Sequence, residues 1–161
     1  METRFDFFKG IYLPEYFGLL TEDYDGRTGV FDFKPIEPQV SIFSERYLTP
    51  RGAHIFISQA GFCLVEHVLE TEEFPMSVEE YRELSIQGRM KIIELNQRYR
   101  REVGTNSNLQ GRMDLTKVRG GTMPMIKIDF DLAGRAITGS LTGVLAPKPV
   151  PQMNADIVRP N

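Results

Sequence analysis

Residues 51 to 70, RGAHIFISQAGFCLVEHVLE, are the stretch of sequence that decides the fold. They are apolar for most of their length and carry an acid, Glu66, in the middle. On a helix that turns by about 100° per residue, Ala60, Leu64 and Val68 contribute to a broad apolar surface. A helix that is apolar nearly all round is a buried helix. The stretch therefore predicts a long core helix, with the remaining chain folded around it.

Glu66 is the chemically unusual residue of this predicted helix. It shares a helix face with Gln59, Phe62, Cys63 and Glu70. A carboxylate inside a buried helix is costly unless it is paired or used. Two interpretations stay open at this point: the core helix carries a catalytic acid, or Glu66 pairs with an arginine at a dimer seam.

The composition predicts a single soluble globular domain. The chain has 161 residues, of which 41% are hydrophobic and 25% charged, so it can bury a core of ordinary size. A net charge of -3 suggests neither a nucleic-acid nor an acidic-membrane partner. No apolar run approaches the roughly 20 residues that a membrane span needs, so no membrane partner is expected.

The chain contains one cysteine, Cys63, and two histidines. A single cysteine cannot form an internal disulfide, which makes a reducing cytoplasm the natural compartment. So few cysteines and histidines also argue against a zinc site, and we expect no metal. The N-terminal METRFDFFKG carries acids where a signal peptide needs bases, so we expect no secretion signal.

The segment before the long helix is rich in aromatic residues. Residues 1 to 27 are expected to cap the core and to shape a pocket, with a short helix from Pro14 to Leu20. The run TEDYDGRTG, residues 21 to 29, reads as a turn cluster. Residues 28 to 33 alternate as a weak strand, and residues 40 to 48 form a second strand or the approach to the helix.

The segment after the long helix changes from helical to strand character. A capping box from Ser77 to Glu80 opens a short helix of about Val78 to Gln87. Four strands follow, with short turns that indicate an antiparallel meander: residues 90 to 101, 108 to 118, 122 to 131 and 134 to 145. The whole is an α+β layout, a single domain over residues 1 to 147 with a proline-rich tail over 148 to 161.

The side chains available for chemistry are few. No GxGxxG, GxxxxGK[ST], HExxH or GxSxG motif occurs, which leaves His54 and Glu66. At about 1.5 Å of rise per residue the two lie too far apart to touch within one chain, although they could meet across a two-fold axis. Gly61 lets a substrate approach the helix backbone, whose amides and dipole can polarise a carbonyl.

Two resemblances to known enzymes rest on particular segments. GFCLVE, residues 61 to 66, resembles the glycine-to-glutamate segment of the 3-hydroxyacyl-carrier-protein dehydratases. From about Phe43 to Pro147 the chain resembles the FcoT-like, type III long-chain acyl-CoA thioesterases. The matching pieces are the helix region, SVEEYREL at 77 to 84, RYRREV at 98 to 103, LQGRMDL at 109 to 115 and the final GRAITGSLTGVLA.

These resemblances imply the hot-dog fold, in which a curved antiparallel β-sheet wraps a long central helix. The dehydratase resemblance implies an acid–base pair of His54 and Glu66. The thioesterase resemblance implies a tyrosine before the helix, for which Tyr47 could stand. It also implies two polar positions on the helix, near Ser58 or Gln59 and near Glu66.

The expected function is hydrolysis of a fatty acyl thioester of coenzyme A or of an acyl carrier protein, without a cofactor. Glu66 would act as general base, the Gly61 amide would polarise the thioester carbonyl, and Gln59 and Ser58 would orient water or substrate. His54 would assist from the partner subunit of a homodimer or higher homo-oligomer.

Two other functions stay open from the sequence. One is lyase chemistry at the β-carbon, either dehydration of a 3-hydroxyacyl group or addition of glycine to an enoyl carrier-protein thioester. The other is a non-catalytic acyl-binding protein that uses the same pocket. Arg100, which shares a strand face with Arg98, is either a candidate contact for the phosphates of coenzyme A or of a phosphopantetheine arm, or part of a solvated strand face.

Overall fold

The computed structural model describes residues 4–36, 47–72, 74 and 76–145. The N-terminal half holds helix α1 (Arg4–Ile11), a 3₁₀ turn (Pro14–Tyr16), strands β1 (Leu19–Asp25) and β2 (Thr28–Phe33), and helix α2 (Pro50–Thr71). The C-terminal half holds helix α3 (Val78–Ile86) and strands β3 (Met90–Tyr99), β4 (Leu109–Arg119), β5 (Met125–Leu132) and β6 (Ile137–Leu145).

Helix α2 has well-defined ends. At its start the side chain of Thr49 accepts a hydrogen bond from the Gly52 amide at 3.1 Å. Pro50 occupies the first turn, where a missing amide hydrogen leaves nothing unpaired. The helix then runs for 22 residues, so the predicted long core helix is confirmed to within one residue at each end.

The six strands form one antiparallel sheet in the order β1-β2-β4-β5-β6-β3. Strand β3, the first strand after the helices, pairs with β6 along one edge, and β1 forms the other edge of the described sheet. The predicted four-strand meander is therefore wrong for β3 and holds only for β4, β5 and β6, because the place beside β4 is taken by β2. The register shifts by one residue between Ile92 and Glu94 in β3 and between Leu115 and Lys117 in β4. Such bulges bend a strand and re-aim its side chains.

Helix α2 packs against the inward face of this sheet. Alternate residues of the central strands, including Met113, Ile128 and Leu141, are buried with the helix in one hydrophobic core. Strand β4 approaches α2 so closely at Gly111 that an added Cβ would lie 2.6 Å from the ring of Phe56. The predicted α+β architecture, a long helix against an antiparallel sheet, is confirmed.

The N-terminal segment differs from the prediction. Residues 21 to 25 belong to β1 rather than to a turn cluster, and only Gly26 and Arg27 form the turn, with Gly26 at a φ of 56°. Strand β1 lacks an apolar alternation because Glu22 occupies its inward face, where it accepts a hydrogen bond from the Tyr24 hydroxyl at 2.7 Å. Helix α1 is present in the structure but is not predicted from the sequence.

Two further predictions need qualification. The predicted helix from Pro14 to Leu20 is wrong beyond its first turn, because residues 19 and 20 already belong to β1. Most of the predicted strand at 40 to 48 and the whole of the tail at 148 to 161 lie outside the described residues.

Helix α2 meets the length and composition of a membrane span, contrary to the expectation from the sequence. Its most apolar 18-residue window has a mean hydropathy of 1.2. However, 72% of that window is buried inside the structure. Its apolar surface is therefore already covered by the sheet and the other helices, which is the behaviour of a core helix.

Candidate active site

An apolar cleft lies between α2 and the sheet. Helix α2 contributes Ser58, Gly61 and Phe62 to its wall, and α3 contributes Tyr81. The opposite wall comes from β3, β5 and β6, and is almost entirely aliphatic. Exposed Lys91 marks the mouth of the cleft and fully buried Tyr81 its inner end. The cavity volume is ≈ 20 Å³, room for about one water molecule.

Gly61 faces the sheet across this cleft. A Cβ at this position would sit 3.6 Å from Leu141 and 3.7 Å from Ile128, so the glycine leaves a little free space on the helix wall. Its amide lies in the interior of α2, and only the first four amides of a helix lack an intrahelical acceptor. Gly61 therefore exposes helix backbone without a side chain to the cleft. It does not supply the free amide hydrogen-bond donor that is expected from the sequence.

His54 and Ser58 lie on the least covered stripe of α2. His54 is exposed and Ser58 half-buried, and Phe62 continues the stripe into the cleft. Residues four apart on a helix have Cβ atoms about 5–6 Å from each other, so His54 stands one turn outside Ser58. The structure thus places His54 one helical turn beyond Ser58, which lines the cleft.

Gln59 is fully buried and faces away from the cleft. Its carbonyl oxygen accepts a hydrogen bond from the Gly18 amide at 3.1 Å, and its amide nitrogen donates to the carbonyl of Tyr16. Both ends of the side chain are therefore engaged in joining α2 to the segment before β1. In this arrangement the amide group is not available to a substrate.

Glu66 is also fully buried, and arginines of the same chain surround it. Arg82 donates to its carboxylate from Nη2 at 2.6 Å and from Nε at 3.2 Å. Arg4 Nε lies 4.0 Å away, and Arg4 also pairs with Glu70 and with Glu22. Glu66 does not line the cleft. The pairing with an arginine that the sequence left open is present, within one protomer and not across a seam.

Tyr47 and Arg100 lie apart from the cleft in the protomer. Tyr47 is exposed and forms an isolated antiparallel bridge with Gly104. Arg100 is exposed and follows the end of β3. Because a strand rises by about 3.3 Å per residue, Arg100 lies roughly 30 Å from Lys91 at the mouth.

Buried Cys63 and half-buried His67 do not line the cleft. Burial raises the pKa of the Cys63 thiol well above its ordinary value, which keeps the thiol protonated and unreactive at neutral pH. His67 stacks on Tyr24 at 4.2 Å between ring centroids. Among the residues that the structure describes, no three His, Cys, Asp or Glu side chains cluster so as to hold a metal ion.

Several functional candidates of this region could not be identified from the sequence. Lys91 and Tyr81 become part of the cleft only because β3 and α3 fold against α2. Arg4 and Arg82 neutralise Glu66 from two other helices. The sequence does predict that a buried carboxylate needs a partner, and this points to an arginine. It does not indicate which arginine.

Solved structures share this arrangement although the sequences are far apart. A hypothetical thioesterase with coenzyme A from Streptococcus pneumoniae has a TM-score of 0.55 at 9% identity, over 86% of this chain and 94% of its own. A candidate thioesterase from Syntrophus aciditrophicus has a TM-score of 0.55 at 14% identity, over 80% and 83%. A mutant thioesterase from Pseudomonas aeruginosa has a TM-score of 0.52 at 11% identity, over 81% and 82%.

No protein-family model matches the chain, and no curated protein matches its sequence. At these identities the structural similarity establishes the fold alone. The six-stranded antiparallel sheet packed against the long helix α2 is the arrangement of these thioesterase structures, and the chain therefore has the hot-dog fold.

Proposed function

We propose that the protein hydrolyses a fatty acyl thioester of coenzyme A or of an acyl carrier protein. The observation that carries this proposal is the apolar cleft along α2, which is lined by Ser58 and has His54 one turn outside it. Its aliphatic walls match the chemistry of an acyl chain, and they must move apart to admit one, because the present volume of ≈ 20 Å³ holds about one water molecule. The fold shared with thioesterases, one of which was solved with coenzyme A, supports it. A cytoplasmic location suits a protein with a single thiol.

In this proposal His54 is the general base. It takes a proton from a water molecule whose oxygen adds to the thioester carbonyl carbon. The Ser58 hydroxyl donates a hydrogen bond to the carbonyl oxygen as negative charge develops there. Breakdown of the tetrahedral intermediate breaks the carbon–sulfur bond, and the proton held by His54 passes to the leaving thiolate. The products are a free carboxylic acid and a free thiol.

Glu66 and Gln59 act indirectly in this proposal. Each is buried, and each has its polar atoms engaged by the same chain: Glu66 by Arg82, and Gln59 by the backbone on either side of Phe17. They position the helix that forms one wall of the cleft. The alternative is that Glu66 itself is the general base. Measuring stability and turnover on a Glu66 variant distinguishes the two roles.

A homodimer would complete the cleft. In the described sheet, β3 pairs on one side only, with β6, and an unpaired edge strand is a template for a second chain. Antiparallel pairing of two β3 strands (Met90–Tyr99) about their midpoint would set Tyr99 of the partner subunit opposite Met90 and the partner subunit's Arg100 opposite Arg89, next to the cleft mouth. The role of Arg100 as a phosphate contact depends on this assembly.

A non-catalytic acyl-binding protein is the second candidate. The observation in its favour is that both fully buried polar residues of α2, Gln59 and Glu66, are engaged by their own chain. Among the described residues that line the cleft, the polar side chains are Ser58, the peripheral Lys91 and Tyr81, whose hydroxyl donates to the Phe62 carbonyl. Such a protein would bind acyl thioesters without converting them.

Mass spectrometry of reactions with saturated, enoyl and 3-hydroxyacyl thioesters tests the proposal. Each acyl group is offered on coenzyme A and on a carrier protein, with and without glycine, and His54→Gln is the control enzyme. Free acid from the wild type alone supports hydrolysis. Loss of water or a glycine adduct would indicate the lyase reactions instead. Binding without any product would support the acyl-binding protein.

A further inference from the structure

The inner end of the cleft is a wall of two aromatic rings. Phe62 of α2 and Tyr81 of α3 both line the cleft, and Tyr81 is completely buried. The Tyr81 hydroxyl donates a hydrogen bond to the carbonyl of Phe62 at 3.0 Å, which fixes the two helices relative to each other. An acyl chain that enters past Lys91 would run toward these two rings.

A third ring, from the N-terminal helix, stands behind this wall. Phe8 of α1 has 0% of its surface exposed, and it is not among the cleft-lining residues. Its ring stacks on Phe62 at 5.9 Å between centroids, with 25° between the ring planes. It meets Tyr81 edge-on at 6.3 Å and 74°. Phe8 therefore fills the space into which Phe62 would otherwise turn.

Helix α1 is anchored in this position by its own side chains. Arg4 pairs with Glu70 and Glu22, and the guanidinium of Arg82 lies over the ring of Phe7 at 4.7 Å from its centroid. These contacts join the start of the chain to α2, β1 and α3. The Phe8 ring is therefore held in place, because a close-packed protein interior has low compressibility.

We propose that Phe8 sets the depth of the acyl cleft by supporting Phe62 as its end wall, and so determines the longest acyl chain that the protein accepts. This inference rests on the proposed acyl-thioester function. Phe8 is a positioning residue: it does not meet the acyl chain, and it acts through Phe62. Without the Phe8 ring, Phe62 can turn toward α1, and the cleft gains length between α1 and α3.

Calorimetric titration with saturated acyl-CoA thioethers of increasing length tests this role. A thioether in place of the thioester prevents hydrolysis, so the readout is the dissociation constant. Each methylene buried in the cleft should tighten binding roughly fourfold, until the chain reaches the wall and the constant stops improving. In Phe8→Ala the improvement should continue to longer chains than in the wild type.

Phe7→Ala is the matched control, since Phe7 is the neighbouring ring on α1, meets Phe8 edge-on at 5.1 Å between centroids, and is not among the residues that line the cleft. It should keep the chain length at which wild-type affinity levels off. If Phe8→Ala does not fold, Phe8→Leu removes less volume and should extend the accepted length by less. A longer chain should also raise the melting temperature of the variant more than that of the wild type, because it fills the vacated space.

The titrations distinguish a wrong role for Phe8 from a wrong proposed function. Affinity that levels off at the same length in wild type, Phe8→Ala and Phe8→Leu would overturn the role of Phe8 while leaving the acyl cleft intact. An equal shift in Phe7→Ala would overturn it as well, since any loosening of α1 would then suffice. No binding of any chain length by the wild type would overturn the proposed function and the end wall with it.

Discussion

The carboxylate of Glu66 and the guanidinium of Arg82 form an ion pair within one protomer, with Nη2 and Oε1 at 2.6 Å. The Glu66 side chain is completely buried, whereas Arg82 keeps 23% of its side chain exposed. The pair joins the C-terminal half of α2 to α3, where Arg82 directly follows Tyr81 at the inner end of the cleft. Because α2 and α3 both contribute to the cleft wall, breaking this ion pair is expected to affect the stability of the fold.

We expect Glu66→Gln to lower stability more than activity. Removing one partner of a buried ion pair typically costs about 3–5 kcal/mol, because the remaining charge is left uncompensated. Denaturant unfolding and turnover per folded molecule should be measured on the same preparation. Glu66→Met combined with Arg82→Met should recover much of the loss, since a well-packed apolar pair can replace a buried ion pair.

Glu70→Gln is the control for that experiment, because Glu70 also pairs with an arginine but keeps 39% of its side chain exposed, whereas Glu66 keeps none. Its effect on the free energy of unfolding should stay within about 1 kcal/mol. The opposite pattern, a Glu66→Gln variant with wild-type stability and a collapsed turnover, would contradict the structural role and return Glu66 to the mechanism as its base.

The elements that follow from local periodicity could be predicted from the sequence. Helix α2, helix α3 with its Ser77 cap and the four strands after Met90 are confirmed, because each has its own apolar spacing and turn residues. Strand β1 could not, because the inward position of Glu22 is acceptable only once Arg4 and Tyr24 surround it. That environment comes from tertiary packing and leaves no trace in the local pattern.

The site was less predictable than the fold for the same reason. The sequence identifies Gln59 and Glu66 as buried polar residues, and both are buried. It does not reveal that their hydrogen bonds are taken up by the backbone near Phe17 and by Arg82, which lie far away in the chain. Lys91 reaches the cleft mouth only through the pairing of β3 with β6.

His54→Gln should lower the turnover number without lowering stability. Loss of a general base typically costs about 10²–10⁴-fold in rate, and an exposed side chain in the first turns of α2 supports little of the core. His67→Gln provides the comparison, because His67 is the second histidine of the chain and stacks on Tyr24 outside the cleft. Equal turnover in the two variants would remove His54 from the catalytic role.

His67 should make stability depend on pH. Burial, and then the charge of Arg4, lower the pKa of His67 below its ordinary value. The folded protein therefore holds fewer protons than the unfolded chain between the lowered pKa and the ordinary value of about 6.5. Stability should be complete above that window and fall as pH decreases through it.

The check on this dependence is the free energy of unfolding from denaturant titrations at several pH values between about 5 and 7.5, a range that brackets the ordinary histidine pKa. His67→Gln should flatten the slope that the wild type shows in this range. A slope that survives the substitution unchanged would assign the pH dependence to other groups.

Cys63 should resist modification in the folded protein. Because burial raises the pKa of the thiol well above its ordinary value, the reactive thiolate is scarce and also shielded from reagents. Mass spectrometry should find slow alkylation by iodoacetamide in buffer and rapid alkylation in denaturant, and Cys63→Ala should keep its turnover. Rapid labelling of the native protein at neutral pH would contradict this burial.

A dimer formed through β3 is expected at micromolar concentration. Ile93 on this edge strand is 57% exposed, and an added charge on an edge strand disfavours pairing with another strand. Ile93→Asp should therefore weaken dimerisation by at least about tenfold, given the worth of a buried isoleucine. Ile86→Asp on α3, where the side chain is 67% exposed, should leave it unchanged. Sedimentation of both variants measures the difference, and a wild type that is only monomeric rules out the dimer.

In the proposed dimer, Arg100 would have a role that it lacks in the single protomer. Lys91 stands at the cleft mouth, and the partner subunit's Arg100 would lie beside it if two β3 strands pair about their midpoint. A charge-assisted hydrogen bond to a phosphate contributes roughly 1.5–3 kcal/mol, so Arg100→Ala and Lys91→Ala should each raise KM for acyl-CoA about tenfold or more with kcat nearly unchanged. Arg112→Ala, whose guanidinium pairs with Asp114 at 3.0 Å on another strand, should keep the wild-type KM. If Lys91→Ala raises KM while Arg100→Ala does not, the phosphate contact lies within one protomer and the proposed pairing of β3 strands is wrong in register.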